Sequence, residues 1–293
     1  WAGAGSAQAA VTHEEVERAI RDGVRYLKRQ QDPDTGAWPE FQPNLARTGS
    51  TSLAALALLT AGEPPESQTI QKALEYLRRW TPEQLDSTYA ISLQTMVFAA
   101  AEPERDRNRI VSNVSWLERA QIQPRDGVQW PGSWSYTLSK RGQPGDNSNT
   151  QYALLGLHAA SEAGVPVRPE VWNLSRAYWE NAQQADGGWG YHPGKPATGS
   201  MTVAGISSLV IAGLRRYQGA EEIHGDEIVN CGKGSMNTHL QRAIAWMAKR
   251  FEVGQNINSG QGWRLYYLYG LERAGRLGGL RYFGEHDWDR EGA

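Results

Sequence analysis

Few residues in this chain have types and spacings suited to chemistry. The phrase NAQQADGGWGYHPG, Asn181 to Gly194, sets Asp186 beside Gly187, Gly188 and Trp189: an acid in a flexible turn next to a large aromatic. Asp86 in LDSTYA and Asp146 in DNSNTQ each open an apolar run. Two carboxylates facing one cavity would suit glycoside-type hydrolysis, but their separation decides the matter and a sequence does not contain it. Cys231 has His224, Asp226 and His239 near it in sequence. These are metal-ligand types, yet their spacing matches no zinc pattern. The expectation is no metal and no cofactor. As the single cysteine, Cys231 also excludes an internal disulfide framework.

Composition narrows the classes further. The chain has 293 residues, long for one ordinary domain and short for two large ones. A net charge of −2 points to no polyanionic partner, so nucleic acid is not expected. The chain carries 12 Trp and 12 Tyr against 4 Phe, and aromatics with a polar edge suit cavity walls and interfaces. No apolar run approaches the roughly 20 residues of a membrane helix. The opening WAGAGSAQAAVTHEEV contains Ala7-Gln8-Ala9, the A-x-A pattern of a secretory cleavage site. Export is therefore expected, with residues 1–10 set aside as a signal remnant or tail.

The elements that must position these residues repeat. VERAIRDGVRYLKRQQDPDTGAW has the apolar spacing of an amphipathic helix and ends in a Gly/Trp loop. TGSTSLAALALLTAG follows, apolar almost throughout, as a buried helix requires. IQKALEYLRRW leads to DSTYAISLQTMVFAAA without such a loop. VSNVSWLERAQIQPRDGVQW leads to DNSNTQYALLGLHAASEAG, VWNLSRAYWENAQQADGGWG to GSMTVAGISSLVIAGL, and HLQRAIAWMAKRFEVG to SGQGWRLYYLYGLERAG. Strand signals are nearly absent. Five pairs of alternating half-buried and fully buried helices predict an all-α fold, with buried helices inside and amphipathic helices outside in an α/α toroid; an open solenoid is the rival. The start of a sixth outer helix at EHDWDREGA implies about five of six hairpins, with residues 11–293 a single toroid domain truncated at its C-terminus.

QQADGGWG, Gln183 to Gly190, resembles the glutamine-tryptophan repeat of the squalene-hopene and oxidosqualene cyclases, a superfamily that includes the protein prenyltransferase β subunits. QQDPDTGAW is a second copy and QIQPRDGVQW a looser third. The repeat positions are Gln30 and Trp38, Gln121 and Trp130, and Gln184, Asp186, Gly187, Gly188 and Trp189. Their expected work is structural: glutamine on loose backbone at helix ends, glycine in a tight turn, tryptophan folded back on the helix pair. The resemblance implies a toroid whose central cavity holds an isoprenoid chain.

The cyclase chemistry is not expected to carry over. The family protonates an alkene or epoxide with an aspartate in D-x-D-D-T, and the matching stretch here reads D-N-S-N-T. Ser148 and Asn149 stand where two aspartates belong, and neither can protonate an alkene. Asp146 remains as the one candidate acid, and equally as an N-cap. The D-x-C zinc site of the prenyltransferases is missing, and NCGKGS does not meet the thioester signature G-C-G-E-Q. The expected reading is a non-cyclising binding or scaffold protein; a diverged isoprenoid-processing enzyme with a non-standard acid is the alternative.

The starts of the five buried helices share small polar residues. In a toroid they surround one mouth, where Arg47, Ser50, Asp86, Tyr89, Asn147, Asn149, Tyr152, Thr202, Gln261, Trp263 and Tyr267 become candidate binding residues, with Tyr266 adding aromatic wall. Free backbone N–H groups there would suit a polar or anionic head or a peptide segment. The candidate partner is a hydrophobic or isoprenoid small molecule, or a protein segment.

Overall fold

The computed structural model describes residues 11–41, 46–138, 143–217, 222–224, 227–229 and 237–292. Twelve α-helices occur among them, with strands confined to two short hairpins, so the chain is all-α. The elements are α1 (His13–Gln30), α2 (Gly49–Thr60), α3 (Gln68–Leu77), α4 (Pro82–Leu85), α5 (Thr88–Ala101), α6 (Arg107–Ala120), α7 (Asn147–Glu162), α8 (Pro169–Ala182), α9 (Gly199–Tyr217), the β1–β2 hairpin (Glu222–His224, Glu227–Val229), α10 (Thr238–Arg250), α11 (Arg264–Gly278), the β3–β4 hairpin (Tyr282–Phe283, His286–Asp287) and α12 (Trp288–Gly292). Among the described residues, no helix is long and apolar enough to cross a membrane.

Two kinds of helix alternate. α3 buries Ile70, Ala73, Leu74 and Leu77, the i, i+3, i+4, i+7 stripe of a helix with one dry face. α5 is buried without a break from Ala90 to Phe98, and α7 from Asn147 to Leu157. The apolar helices pack in chain order, α2 on α5, α5 on α7, α7 on α9 and α9 on α11. A Cβ on Gly156 of α7 would lie 2.8 Å from the Cα of Ser92 on α5, so glycine permits that close approach. The amphipathic helices pack against this series: α3 on α2, α6 on α5 and α7, α8 and α10 on α9. α1 has a capping box between Thr12 and Glu15 but buries no residue, so its apolar face is largely wet. At the C-terminal end, His286 and Asp287 pair with Phe283 and Tyr282 before α12 begins at Trp288. The turn uses Gly284 at φ +63°, so the helix expected over EHDWDREGA starts later than its first residue.

The junction without a Gly/Trp loop is held by charge. Arg78, the C-cap of α3, sends Nε and Nη2 to the two carboxylate oxygens of Asp106 at 2.9 and 2.7 Å, and also pairs with Glu102. Asp106 is the N-cap of α6 and fully buried. Burial pushes the Glu102 carboxyl up. Hydrogen bonds from Gln71, Arg78 and Arg105, with the charge of Arg78, outweigh that and hold it below its ordinary value of 4.5. A carboxyl depressed in the folded state contributes stability that is complete above its unfolded value and lost as pH falls. The urea midpoint should therefore drop as the pH falls below 4.5, and Glu102→Gln should flatten that part of the curve. An unchanged slope in the variant would remove this cluster as its source.

Candidate functional site

Three loops repeat one set of contacts. Gln31, Gln121 and Gln183 are the C-caps of α1, α6 and α8, all with extended backbone. Each Nε2 donates once within its own loop, to the carbonyls of Gly36, Gly132 and Gly187 at 2.9, 3.3 and 2.9 Å. Each donates again to the first turn of the next amphipathic helix, to the carbonyls of Thr69, Val171 and His239 at 2.9, 2.9 and 2.8 Å. The three glycines have φ of +78°, +95° and +97°. A Cβ on any of them would come within 2.7 Å of a carbonyl oxygen, on Lys72, Leu174 and Arg242 in turn. Two residues on, Trp38, Trp134 and Trp189 send Nε1 back to the carbonyls of Leu27, Leu117 and Trp179 at 2.8, 2.7 and 3.0 Å. Their backbone N–H groups donate to Thr51, Thr150 and Thr202 on the following apolar helix. The loop is a staple between two amphipathic helices and one apolar helix.

The sequence reading gave Gln30, Gln184 and Trp130 these roles; Gln31, Gln183 and Trp134 perform them. The cause is the helix end. In these three loops the side chain crosses to the next helix from the residue where the backbone turns extended, and that is the C-cap. Gln30 is the last residue of α1. Gln184 instead donates to Lys195, and Trp130 stacks on His192 with ring centroids 5.6 Å apart. Asp186 anchors its loop, accepting from Gly188 N–H at 3.1 Å and Trp246 Nε1 at 2.7 Å.

The apolar helices begin around one cavity of about 540 Å³. α2 contributes Gly49, Ser50 and Leu53, α5 Tyr89 and Leu93, α7 Ser148 and Tyr152, α9 Ser200 and Met201, and α11 Tyr266 with Trp263 at its N-cap. Loops add Phe41, Tyr136, Tyr191 and Asn256. Among the described residues, no Asp, Glu, Lys, Arg or His lines it. Of the candidate mouth residues, Ser50, Tyr89, Tyr152 and Trp263 line it. The others are not among its lining residues. Arg47 sits over the Trp80 ring at 4.8 Å, Asp86 accepts from Leu138 N–H, and Asn147 binds the Gly190 carbonyl and the Tyr178 hydroxyl. Thr202 holds Trp189, Tyr267 donates to the Glu252 carbonyl, and Gln261 donates to Gly254.

Five tyrosines form a continuous wall. The hydroxyls of Tyr191 and Tyr136 are 2.9 Å apart. Ring centroids then step from Tyr136 to Tyr89 (6.0 Å), to Tyr152 (4.5 Å) and to Tyr266 (6.1 Å). Tyr266 donates to Gln151 Oε1 at 2.6 Å. Asp146 lies directly behind the wall and is 3% exposed. It is the N-cap of α7, and its carboxylate accepts from Ser148 Oγ at 2.7 Å, Asn149 N–H at 2.9 Å and Asn149 Nδ2 at 2.8 Å. Asp146 thus meets the cavity through the hydroxyl of Ser148. Burial pushes the Tyr89 hydroxyl well up; a hydrogen bond with Ser148 opposes this, and the charge of Asp146 adds to it. Burial, then the Asp146 charge, raises Tyr191. Tyr266 is raised by burial first and by its tyrosine neighbours and Asp146 after that.

At four of the five apolar helix starts, a backbone N–H of the expected ring already serves a protein acceptor. Ser50 N–H donates to Glu40 Oε2, Thr88 N–H to the Tyr136 carbonyl, Asn147 N–H to the Tyr191 carbonyl and Ser200 N–H to Asn256 Oδ1. Two of the five apolar helices, α2 and α7, receive a carboxylate at this end, from Glu40 and Asp146.

Sequence reasoning missed Tyr136 and Tyr191. A signal existed: each stands two residues after a stapling tryptophan, in WSY and WGY. The carboxylate-pair idea is not supported by position, since neither Asp86 nor Asp146 lines the cavity. Of the metal candidates, Cys231 and Asp226 lie outside the described residues, as does the His224 side chain, while His239 Nδ1 faces Gln183 Oε1 at 2.8 Å. Among the described residues, no group of three His, Cys, Asp or Glu side chains could hold a metal. Comparison with models of known protein families gave no match, and comparison with curated proteins gave none.

Proposed function

We propose that the helical series winds into an α/α toroid of the cyclase and prenyltransferase type, and that the protein binds a hydrophobic, isoprenoid-type small molecule in the central cavity without cyclising it. The observation that carries this reading is the cavity itself: all five apolar helices contribute to it from their first turns, and its wall is mainly aromatic and aliphatic, with serine, threonine and asparagine between. Around 540 Å³ falls in the range of small-ligand sites. The non-cyclising part rests on the D-N-S-N stretch. Ser148 reaches the cavity where an acid would be needed, and Asp146 behind it is met by three hydrogen-bond donors. The reading includes export, which Ala7-Gln8-Ala9 supports, and fractionation of the gene product tests that part.

The test for the cavity is titration with squalene and with C15 and C20 isoprenoid alcohols, read by tryptophan fluorescence, followed by analysis of the recovered ligand. Saturable binding with ligand returned unchanged is expected, and Met201→Trp, which fills the cavity, should weaken it at least about tenfold. Cyclic product from the wild type, lost in Asp146→Asn, would establish the diverged cyclase instead.

A further inference from the structure

The cavity wall has a sign as well as a shape. Among the described residues, its lining holds tyrosines and Trp263 but no cationic side chain. Aromatic faces are electron-rich and attract organic cations. Asp146 stands behind Ser148, and among the described residues it forms no ion pair with a lysine or arginine; its partners are a hydroxyl, an amide and a backbone N–H. Its charge reaches the wall: Tyr89, Tyr191 and Tyr266 are each raised in part by it, after burial. An anionic head finds the opposite, since backbone donors at the starts of α2, α5, α7 and α9 already serve protein acceptors.

We propose that the cavity selects a ligand with a cationic head, an alkylammonium, seated against Tyr89, Tyr191 and Tyr266 with Ser148 and Asp146 behind them. This rests on the cavity-binding reading above and names the head group of that ligand. The aliphatic part of the wall, Leu53, Leu93 and Met201, takes the tail. A neutral hydrocarbon would use the same surface but gain nothing from the carboxylate.

The probes are three octyl compounds of similar size below their micellar concentrations: octyltrimethylammonium, the neutral tert-butyl octyl ether and octyl sulfate. Each is titrated into the whole chain by calorimetry. The cation should bind about tenfold more tightly than the ether, and octyl sulfate should bind least. Asp146→Asn should reduce the cation's advantage and leave the ether's affinity unchanged. This variant keeps an effective N-cap residue, and its amide can meet Asn149 Oδ1, which is buried without a partner. Ser148→Ala is the second variant: it removes the hydroxyl between carboxylate and cavity, and far-UV circular dichroism verifies folding of both. Equal affinity for cation and ether, or tightest binding of the sulfate, overturns the inference while the cavity-binding reading stands. A cation preference unchanged in folded Asp146→Asn overturns the role of the carboxylate. No binding by any of the three overturns the inference, while the titration with squalene and isoprenoid alcohols decides the cavity-binding reading separately.

Discussion

Trp189→Ala is expected to lower the unfolding free energy by about 3–5 kcal/mol, the usual cost of emptying a fully buried aromatic site. The ring is completely buried and lies directly on the backbone of α9: a Cβ placed on Gly205 would be 2.5 Å from it. It meets Trp179 edge-on at 5.8 Å, and its Nε1 holds the Trp179 carbonyl at 3.0 Å. Its removal opens a void where α8, its loop and α9 join, and leaves a buried carbonyl without its donor. Trp38→Ala makes the same chemical change in the first copy of the staple. There the loop ties down α1, a helix with no buried residue. Its cost should be smaller, because the helix it secures has less to lose. Urea denaturation followed at 222 nm measures both. Equal losses in the two variants would mean that the staple's value is local to the loop, not set by the helices it joins.

Arg78→Ala is expected to cost about 3–5 kcal/mol, because it leaves the carboxylate of Asp106 buried without its main partner. Asp106 is fully buried, and its remaining cation among the described residues is Arg109, whose side chain is 44% exposed. Arg78→Lys should recover only part of the loss, since an ammonium cannot reproduce the two-pronged contact of a guanidinium with both Asp106 oxygens. The same urea experiment decides it. A loss below about 1 kcal/mol in Arg78→Ala would mean that water relieves the carboxylate and that the junction is held by packing alone.

These two sites do one job with different chemistry. At four successive amphipathic helices the C-cap residue reaches the start of the next: Gln31 to Thr69, Arg78 to Asp106, Gln121 to Val171, Gln183 to His239. Where the Gly/Trp loop is missing, an ion pair replaces the glutamine amide. At α10 the C-cap Phe251 instead stacks on Phe283 and His286 of the β3–β4 hairpin, ahead of α12.

Much of this was legible in the chain itself. The 3.6-residue spacing of Ile70, Ala73, Leu74 and Leu77, the unbroken apolar run of α5 and the glycines two residues before Trp38 and Trp189 depend on neighbours within a turn or so. Their consequences follow from local sterics and capping, so sequence alone determined the helices, their alternation and the loops that need positive φ. The glutamine register missed by one residue at two loops, short at Gln30 and long at Gln184, because it depends on where each helix ends, and helix ends are set by contacts made with the next helix.

The site was decided by tertiary structure. Tyr266 and Gln151 are 115 positions apart yet share a hydrogen bond, and Tyr136 meets Tyr191 across 55. Asp86 and Asp146 look alike in sequence, each opening an apolar run. One ends α4 with φ at +38° and holds Leu138; the other caps α7 behind Ser148. Which side chains face a shared cavity depends on how five helices rotate as they pack. That rotation follows from shape fitting among residues distant in sequence, such as Gly156 against Ser92, and no local pattern encodes it.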